Sequence, residues 1–187
     1  MTRIVAGALG GRRIAAPPGA GTRPTSDRVR EALFSAVQAE KDLVGARFAD
    51  LYAGSGAVGL EALSRGAEHV LLVESDPRAA RVIRENVAAL RAAPAARLVA
   101  GKVATVLAAG PEGEPYDVVF ADPPYAVPDD EISAVLTALV DRGWLAPDAL
   151  VVVERSSRGA PLDWVRGVTG ERSRRYGETT LWYGRRS

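Results

Sequence analysis

Apolar residues along this chain fall into short continuous runs, and between the runs they recur every three or four positions. The runs at 46–51, 69–73, 97–99, 116–121 and 149–153 predict buried strands. The spaced segments at 58–65, 79–91, 103–108 and 130–141 predict amphipathic helices. An earlier helix is predicted after Ser26-Asp27, a capping pair, with Val29, Leu33, Phe34 and Val37 on one face. Alternating units of this length imply a parallel sheet covered by helices on both sides. The alternation breaks at both ends. Segments 165–174 and 179–184 predict consecutive strands around Arg175-Tyr176-Gly177-Glu178, a terminal antiparallel hairpin. Segments 3–6 and 12–15 predict a short hairpin around a glycine-rich turn, followed by a linker through Pro17, Pro18 and Gly19 to Gly21. The expected organisation is a β-hairpin extension over residues 1–20 and a main α/β domain over 21–187. That domain would hold a mostly parallel seven-stranded sheet.

Two loops at strand ends carry the candidate chemistry. The first follows Asp50-Leu51-Tyr52-Ala53 and contains a literal G-x-G-x-x-G at Gly54, Gly56 and Gly59. Glu74 closes the next strand twenty residues after Gly54. This spacing satisfies a dinucleotide fingerprint. S-adenosylmethionine binds at the same crevice of a related sheet, and Asp50 favours it. A carboxylate there opposes a pyrophosphate in a desolvated cleft but complements an ammonium and a sulfonium. Glu74, able to accept from both ribose hydroxyls, fits either cofactor. Tyr52, Ala53, Ser55, Ser75 and Val103 complete the expected cofactor set, Val103 offering only its backbone to an adenine.

The second loop is Asp122-Pro123-Pro124-Tyr125, where a proline pair ends the strand run Val118-Val119-Phe120-Ala121. Asp-Pro-Pro is also ordinary loop chemistry. At a strand edge, however, a carboxylate, a rigid carbonyl and a ring suit a flat amine: two acceptors for its N–H groups and one stacking surface. Ligands of such sheets collect at the strands' C-terminal edge. If the strands ending at Asp50 and Asp122 are neighbours, donor and acceptor share one cleft. An exocyclic base amine is a poor nucleophile because its lone pair is delocalised. Hydrogen bonds to Asp122, also placed among the cofactor residues, and to the Pro123 carbonyl would localise it.

Composition narrows the class. With 187 residues, 47% of them hydrophobic, the chain has the makings of one ordinary globular domain, and no apolar segment approaches membrane-spanning length. The N-terminal stretch lacks the apolar centre of a secretory signal. The absence of cysteine excludes disulfides and thiolate sites, and with a single histidine no metal site is expected. A cytoplasmic monomer is the simplest expectation. Net charge is only +1, but arginine gathers at the two ends. Arg3, Arg12, Arg13, Arg23, Arg28 and Arg30 face the single acid Asp27, and Arg172, Arg174, Arg175, Arg185 and Arg186 face Glu171 and Glu178. Basic ends on a neutral body predict a polyanion footprint, a nucleic acid, with the N-terminal six as the phosphate contacts. His69, Trp144, Trp164 and Trp182 read as packing residues, and Glu154 as a solvated loop cap.

At these residues the sequence resembles the RsmD-type 16S ribosomal RNA guanine-N2 methyltransferases. The likeness runs nearly end to end: Arg3-Ile4-Val5-Ala6-Gly7 with Gly10-Gly11-Arg12, then the stretch from Arg23-Pro24-Thr25 to Phe34. It continues through the glycine loop, Val73-Glu74, Asp122–Tyr125 and Tyr176-Gly177. The resemblance implies a Rossmann-like fold and methylation of a guanine N2 in 16S rRNA, on an assembled or assembling small subunit. It also implies that Arg23-Pro24-Thr25 lies near the cofactor's methionine end and that the N-terminal strands grip RNA. Adenine-N6 and protein-glutamine methylation remain alternatives. So do an NAD-dependent oxidoreductase and a non-catalytic RNA-binding module.

Overall fold

A computed structural model describes residues 2–17 and 26–187. Thr25, Arg23 and most of the expected linker lie outside the described residues.

The chain opens with a small antiparallel pair, β1 (Thr2–Arg3) and β2 (Arg13–Ile14). Helix α1 (Asp27–Glu40) starts at Ser26, whose hydroxyl accepts from the Val29 amide. This is the N-cap the capping pair predicted. There follow β3 (Arg47–Leu51), α2 (Ala57–Ser64), β4 (His69–Glu74), α3 (Pro77–Ala89), β5 (Ala96–Ala100), α4 (Val103–Ala108), β6 (Tyr116–Ala121) and α5 (Asp129–Asp141). The chain closes with β7 (Leu145–Ser156), β8 (Val168–Tyr176) and β9 (Thr179–Arg186). The main sheet has seven strands in the order β5-β4-β3-β6-β7-β9-β8. Its first five strands are parallel; β9 and β8 add an antiparallel hairpin at one edge. The predicted fold class is therefore the observed one. The differences are at strand ends, most of all in β7, which begins earlier than the apolar run because Leu145 pairs with Tyr116 ahead of a bulge.

Each sheet face has its own apolar layer. One joins Phe34 and Val37 of α1 to Phe48, Leu72, Phe120 and Tyr183. The other joins Leu107 of α4 and Leu136 of α5 to Leu51, Val119, Val151 and the fully buried Trp144. The Trp144 indole N–H donates to the Leu107 carbonyl, 2.9 Å. Trp164 lies on β8 and β9, where Gly170 and Gly184 make room: a Cβ on either would stand 2.4 Å and 2.8 Å from the indole. His69 hydrogen-bonds the Tyr116 hydroxyl at 3.0 Å, and burial lowers its pKa, as do Arg47 and Arg97. These three residues are packing residues, as expected.

The N-terminal pair is seated on the body by polar contacts with α2 and α3. Ile4 and Ile14 join the first apolar layer. The fully buried Glu61 accepts from the Val5 and Ala6 amides at 2.8 and 3.0 Å. Asn86 accepts from the Ala15 amide and donates to the carbonyls of Ala15 and Ser55. Arg30 completes this arrangement and corrects an expectation. It has no exposed surface; its Nε lies 3.3 Å from Glu61, and its guanidinium also bonds Asp27 and the Arg3 carbonyl. A buried carboxylate needs a cation beside it; Arg30 and Arg65, whose Nε lies 2.9 Å from Glu61, both supply it, so the buried Arg30 is not available to a phosphate.

Candidate active site

The strands ending at Asp50 and Asp122 are adjacent. β3 and β6 pair in parallel, with Leu51 opposite Ala121, and the Asp122 amide donates to the Leu51 carbonyl at 3.3 Å. The glycine turn and the Asp-Pro-Pro-Tyr turn therefore leave the same edge side by side.

The glycine turn is held from beneath. Gly54 and Gly56 both have positive φ, +61° and +82°, and a Cβ on Gly54 would meet nothing within 4 Å. The left-handed backbone, not crowding, accounts for glycine there. Gly59 answers a different need: a Cβ would stand 2.4 Å from Leu72 and 2.8 Å from Val70, so α2 packs directly on the sheet. The Ala53 amide reaches the Val73 carbonyl. Tyr52, at a φ of 61°, extends from the turn over the second apolar layer, where Val127 of the acceptor loop also packs. Burial and then Glu131 push its pKa up, while Arg155 opposes them.

The acids divide their work. Glu74 accepts from the Gly54 amide at 2.8 Å and the Asp76 amide at 2.9 Å, one through each oxygen, and so shapes the turn before any ribose arrives. Asp50 is only 1% exposed, and its Oδ2 accepts from the Gly59 amide at 2.9 Å. It braces the turn against the first turn of α2 instead of standing open as a surface ligand. Burial pushes its pKa well up; the Gly59 bond opposes this, and the charges of Asp122 and Glu74 push further in the same direction. Asp122 and Glu74 both press their charge on the buried Asp50 beside the glycine turn, an arrangement that suits a cationic ligand and disfavours a pyrophosphate. Val103 is buried at the start of α4, so its side chain is committed to the core and its backbone alone remains. Ser55 is buried and Ser75 exposed.

The acceptor turn is more open. Asp122 is partly buried, Pro123 buried, and Pro124 exposed. The Tyr125 ring is 45% exposed, and its hydroxyl lies 2.9 Å from that of Thr179 on β9. Arg155, which the sequence reading missed, holds the loop after it. Its guanidinium donates to the carbonyls of Pro124 (3.4 Å) and Val127 (2.7 Å) and to Asp129 (3.2 Å). The available signal was position: Arg155 lies at the C-terminal end of β7, the strand beside β6. Glu154, expected as a solvated cap, is buried where β7 pairs with Leu181 of β9. The added β9 strand covers a position that would face solvent if β7 were an edge.

The remaining arginines divide. Arg3, Arg12, Arg13 and Arg28 are exposed. Arg3 pairs with Asp27 at 3.6 Å, and Arg12 donates to the Ala89 carbonyl at the end of α3. Arg3 and Arg13 line a shallow cavity of about 330 Å³ with Thr2 and Asp27.

A glycine turn beside an Asp-Pro-Pro-Tyr turn, at neighbouring parallel strand ends, is the arrangement of a Rossmann-like methyltransferase. A family described as conserved hypothetical protein 95 matches residues 2–185. The chain is 41% identical over 166 residues to the Escherichia coli K12 ribosomal RNA small subunit methyltransferase D, covering 87% of this chain and 80% of that one. The Haemophilus influenzae protein of the same name is 35% identical over 161 residues, 86% and 81% of the two chains. The solved structure of the Escherichia coli protein yhhF superposes with a TM-score of 0.84 at 35% identity, covering 100% of this chain and 98% of the other. The chain belongs to the RsmD-type ribosomal RNA methyltransferase family.

Proposed function

We propose that this protein, an S-adenosylmethionine-dependent methyltransferase of small-subunit ribosomal RNA, methylates the exocyclic N2 amine of a guanine. The observation that carries the reading is the adjacency of the two turns through the Asp122–Leu51 bond. The donor would rest on Tyr52, Ala53, Gly54, Ser55 and Gly56, with Glu74 and Ser75 toward its ribose, Val103 toward its adenine, and Thr25 toward its methionine end. When bound, it supplies a methyl group on a positively charged sulfur.

The chain's own groups then do the positioning. Asp122 and the Pro123 carbonyl accept from the amine's two N–H bonds and aim its lone pair, and Pro124 keeps the turn rigid. Tyr125 presents an exposed ring for stacking, its hydroxyl tip held by Thr179. Orientation and electrostatics of this kind supply most of such a rate enhancement, without a covalent enzyme intermediate. The base must leave its stack to reach the turn, so a loop or single-stranded nucleotide is the easier target. Arg3, Arg13 and Arg28, with Arg12 and Arg23, would contact phosphates flanking it. The reading extends to a monomer working in the cytoplasm on the assembled or assembling subunit.

The test is methylation of small-subunit particles lacking the modification, using labelled donor, followed by digestion and nucleoside identification. Label in N2-methylguanosine is the expected result. Label in methyladenosine, or none in RNA, overturns the guanine assignment.

A further inference from the structure

We propose that β8, the outer strand of the C-terminal hairpin, is a second RNA-contacting surface on which Arg172, Arg174 and Arg175 grip the phosphate backbone next to the target nucleotide. This rests on the reading of an RNA substrate. Three observations carry it.

First, β8 is a sheet edge and is exposed from Thr169 to Arg175. Three arginines in four residues repel one another on such an edge. Among the described residues none of the three is ion-paired: Glu171, beside Arg172, is taken by Arg185 at 3.2 Å, and Glu178, the acid nearest Arg175 in sequence, pairs with Arg158 at 3.3 Å. One charge would suffice to keep an edge from pairing with another chain. Three uncompensated ones fit a polyanion that neutralises them.

Second, two of the three are held in place. The Arg172 guanidinium stacks on Tyr183, 4.9 Å from the ring centroid. Arg175 Nε donates to the Gly177 carbonyl at 3.0 Å. Each keeps its other N–H groups, and a guanidinium fixed in plane by a ring or a carbonyl loses less freedom when it meets a phosphate.

Third, the strand connects to the acceptor turn. Tyr176 pairs with Thr179, Arg175 with Thr180 and Arg174 with Leu181. Thr179 is the residue whose hydroxyl meets that of Tyr125. The arginines therefore begin one strand away, about 5 Å, from the residue that holds the stacking ring. Alternation puts Arg172 and Arg174 on one side of the edge and Arg175 on the other, so a backbone running past Tyr125 would be gripped from two sides.

The experiment compares the wild type with the triple variant Arg172→Gln, Arg174→Gln, Arg175→Gln. A second variant, Arg81→Gln with Arg84→Gln, serves as control; these are exposed arginines of α3 at the opposite end of the sheet. The readouts are affinity for a naked small-subunit rRNA fragment over a range of salt, KM and kcat on particles, and S-adenosylhomocysteine binding. The triple variant is expected to lose about 10- to 100-fold in RNA affinity. The slope of log K against log salt should fall by about 2–3, near 0.9 per phosphate contact. KM should rise with kcat and S-adenosylhomocysteine affinity unchanged. RNA affinity and salt slope equal to the wild type overturn the surface while leaving the proposed function intact. An equal loss in the α3 control, or a loss on particles but not on naked RNA, also overturns it, the latter assigning the face to a protein partner. A wild type that binds S-adenosylhomocysteine but neither binds nor methylates the RNA overturns the proposed function, and the surface with it.

Discussion

The two turns of the cleft follow neighbouring strands of one sheet, yet they are stabilised in opposite ways. The glycine turn is fixed by buried polar groups: Asp50 to Gly59, Glu74 to Gly54 and Asn86 to Ser55. The Asp122–Tyr125 turn is more exposed and is held from outside, by Arg155 across its carbonyls and Thr179 at the tip of the ring. A cofactor is the same at every turnover, so a rigid preformed seat costs nothing in range. On the proposed reading the Asp122–Tyr125 turn receives an RNA nucleotide carried on a large, irregular body, and braces near the surface let it adjust. If this division is correct, changes at the two turns should fail differently.

The largest effect is expected at Asp122. Asp122→Ala removes the acceptor proposed for the amine, so turnover should fall by about 10²–10³. S-adenosylhomocysteine affinity should change by no more than a few-fold, because the Asp50–Gly59 and Glu74–Gly54 bonds that shape the glycine turn do not run through Asp122. Calorimetry and a single-turnover methylation assay measure the two quantities. Equal losses in both would make the turns one unit and end the comparison.

Gly59→Ala probes the other side. Alanine favours a helix over glycine by about 1 kcal/mol, but the new methyl would press on Leu72 and Val70, and overpacking costs about 1–3 kcal/mol. A net loss of up to about 2 kcal/mol in urea unfolding is expected, with weaker donor binding because Asp50 and its amide partner are pushed apart. Arg155→Ala should be milder, lowering kcat about tenfold and leaving urea stability and donor binding near the wild type. An Arg155→Lys variant cannot span three acceptors and should recover only part of the rate.

The same contrast decides what could be read from sequence. The glycine turn, its acids and the Asp-Pro-Pro-Tyr turn were legible because each is contiguous and tied to a strand end by hydrophobic pattern. Their adjacency was legible because parallel sheets follow few topologies. Arg155 and Thr179 were not, since they act from strands added later in the chain and nothing local marks them. Arg30 misled for the complementary reason. Its neighbours Arg28 and Asp27 are exposed, and only the fold brings the buried Glu61 beneath it. Glu154 was misread likewise, because the burial supplied by β9 is not local to it.

The finest discrimination comes from the proton on Asp50. Its pKa in the folded protein is raised, chiefly by burial and also by Asp122 and Glu74. A group raised above its unfolded value stabilises the fold fully below the unfolded pKa and loses that contribution as pH rises through the folded one. The unligated protein should therefore gain stability from this group as pH is lowered from neutral. Asp50→Asn, which keeps an oxygen for the Gly59 amide but carries no charge, should melt higher than the wild type at neutral pH. A gain of about 2–4 °C is expected for each kcal/mol recovered. A cation arriving in the cleft pulls the pKa back down, so binding of the sulfonium donor should release up to one proton and tighten as pH rises. S-adenosylhomocysteine, lacking the sulfonium charge, should release less. Titration calorimetry in two buffers of different ionisation enthalpy measures the difference. Asp50→Asn should abolish the Asp50 share of that release while melting higher. A variant that melts lower than the wild type would mean that the buried charge is already compensated without ligand, and that the donor seat is not electrostatically poised.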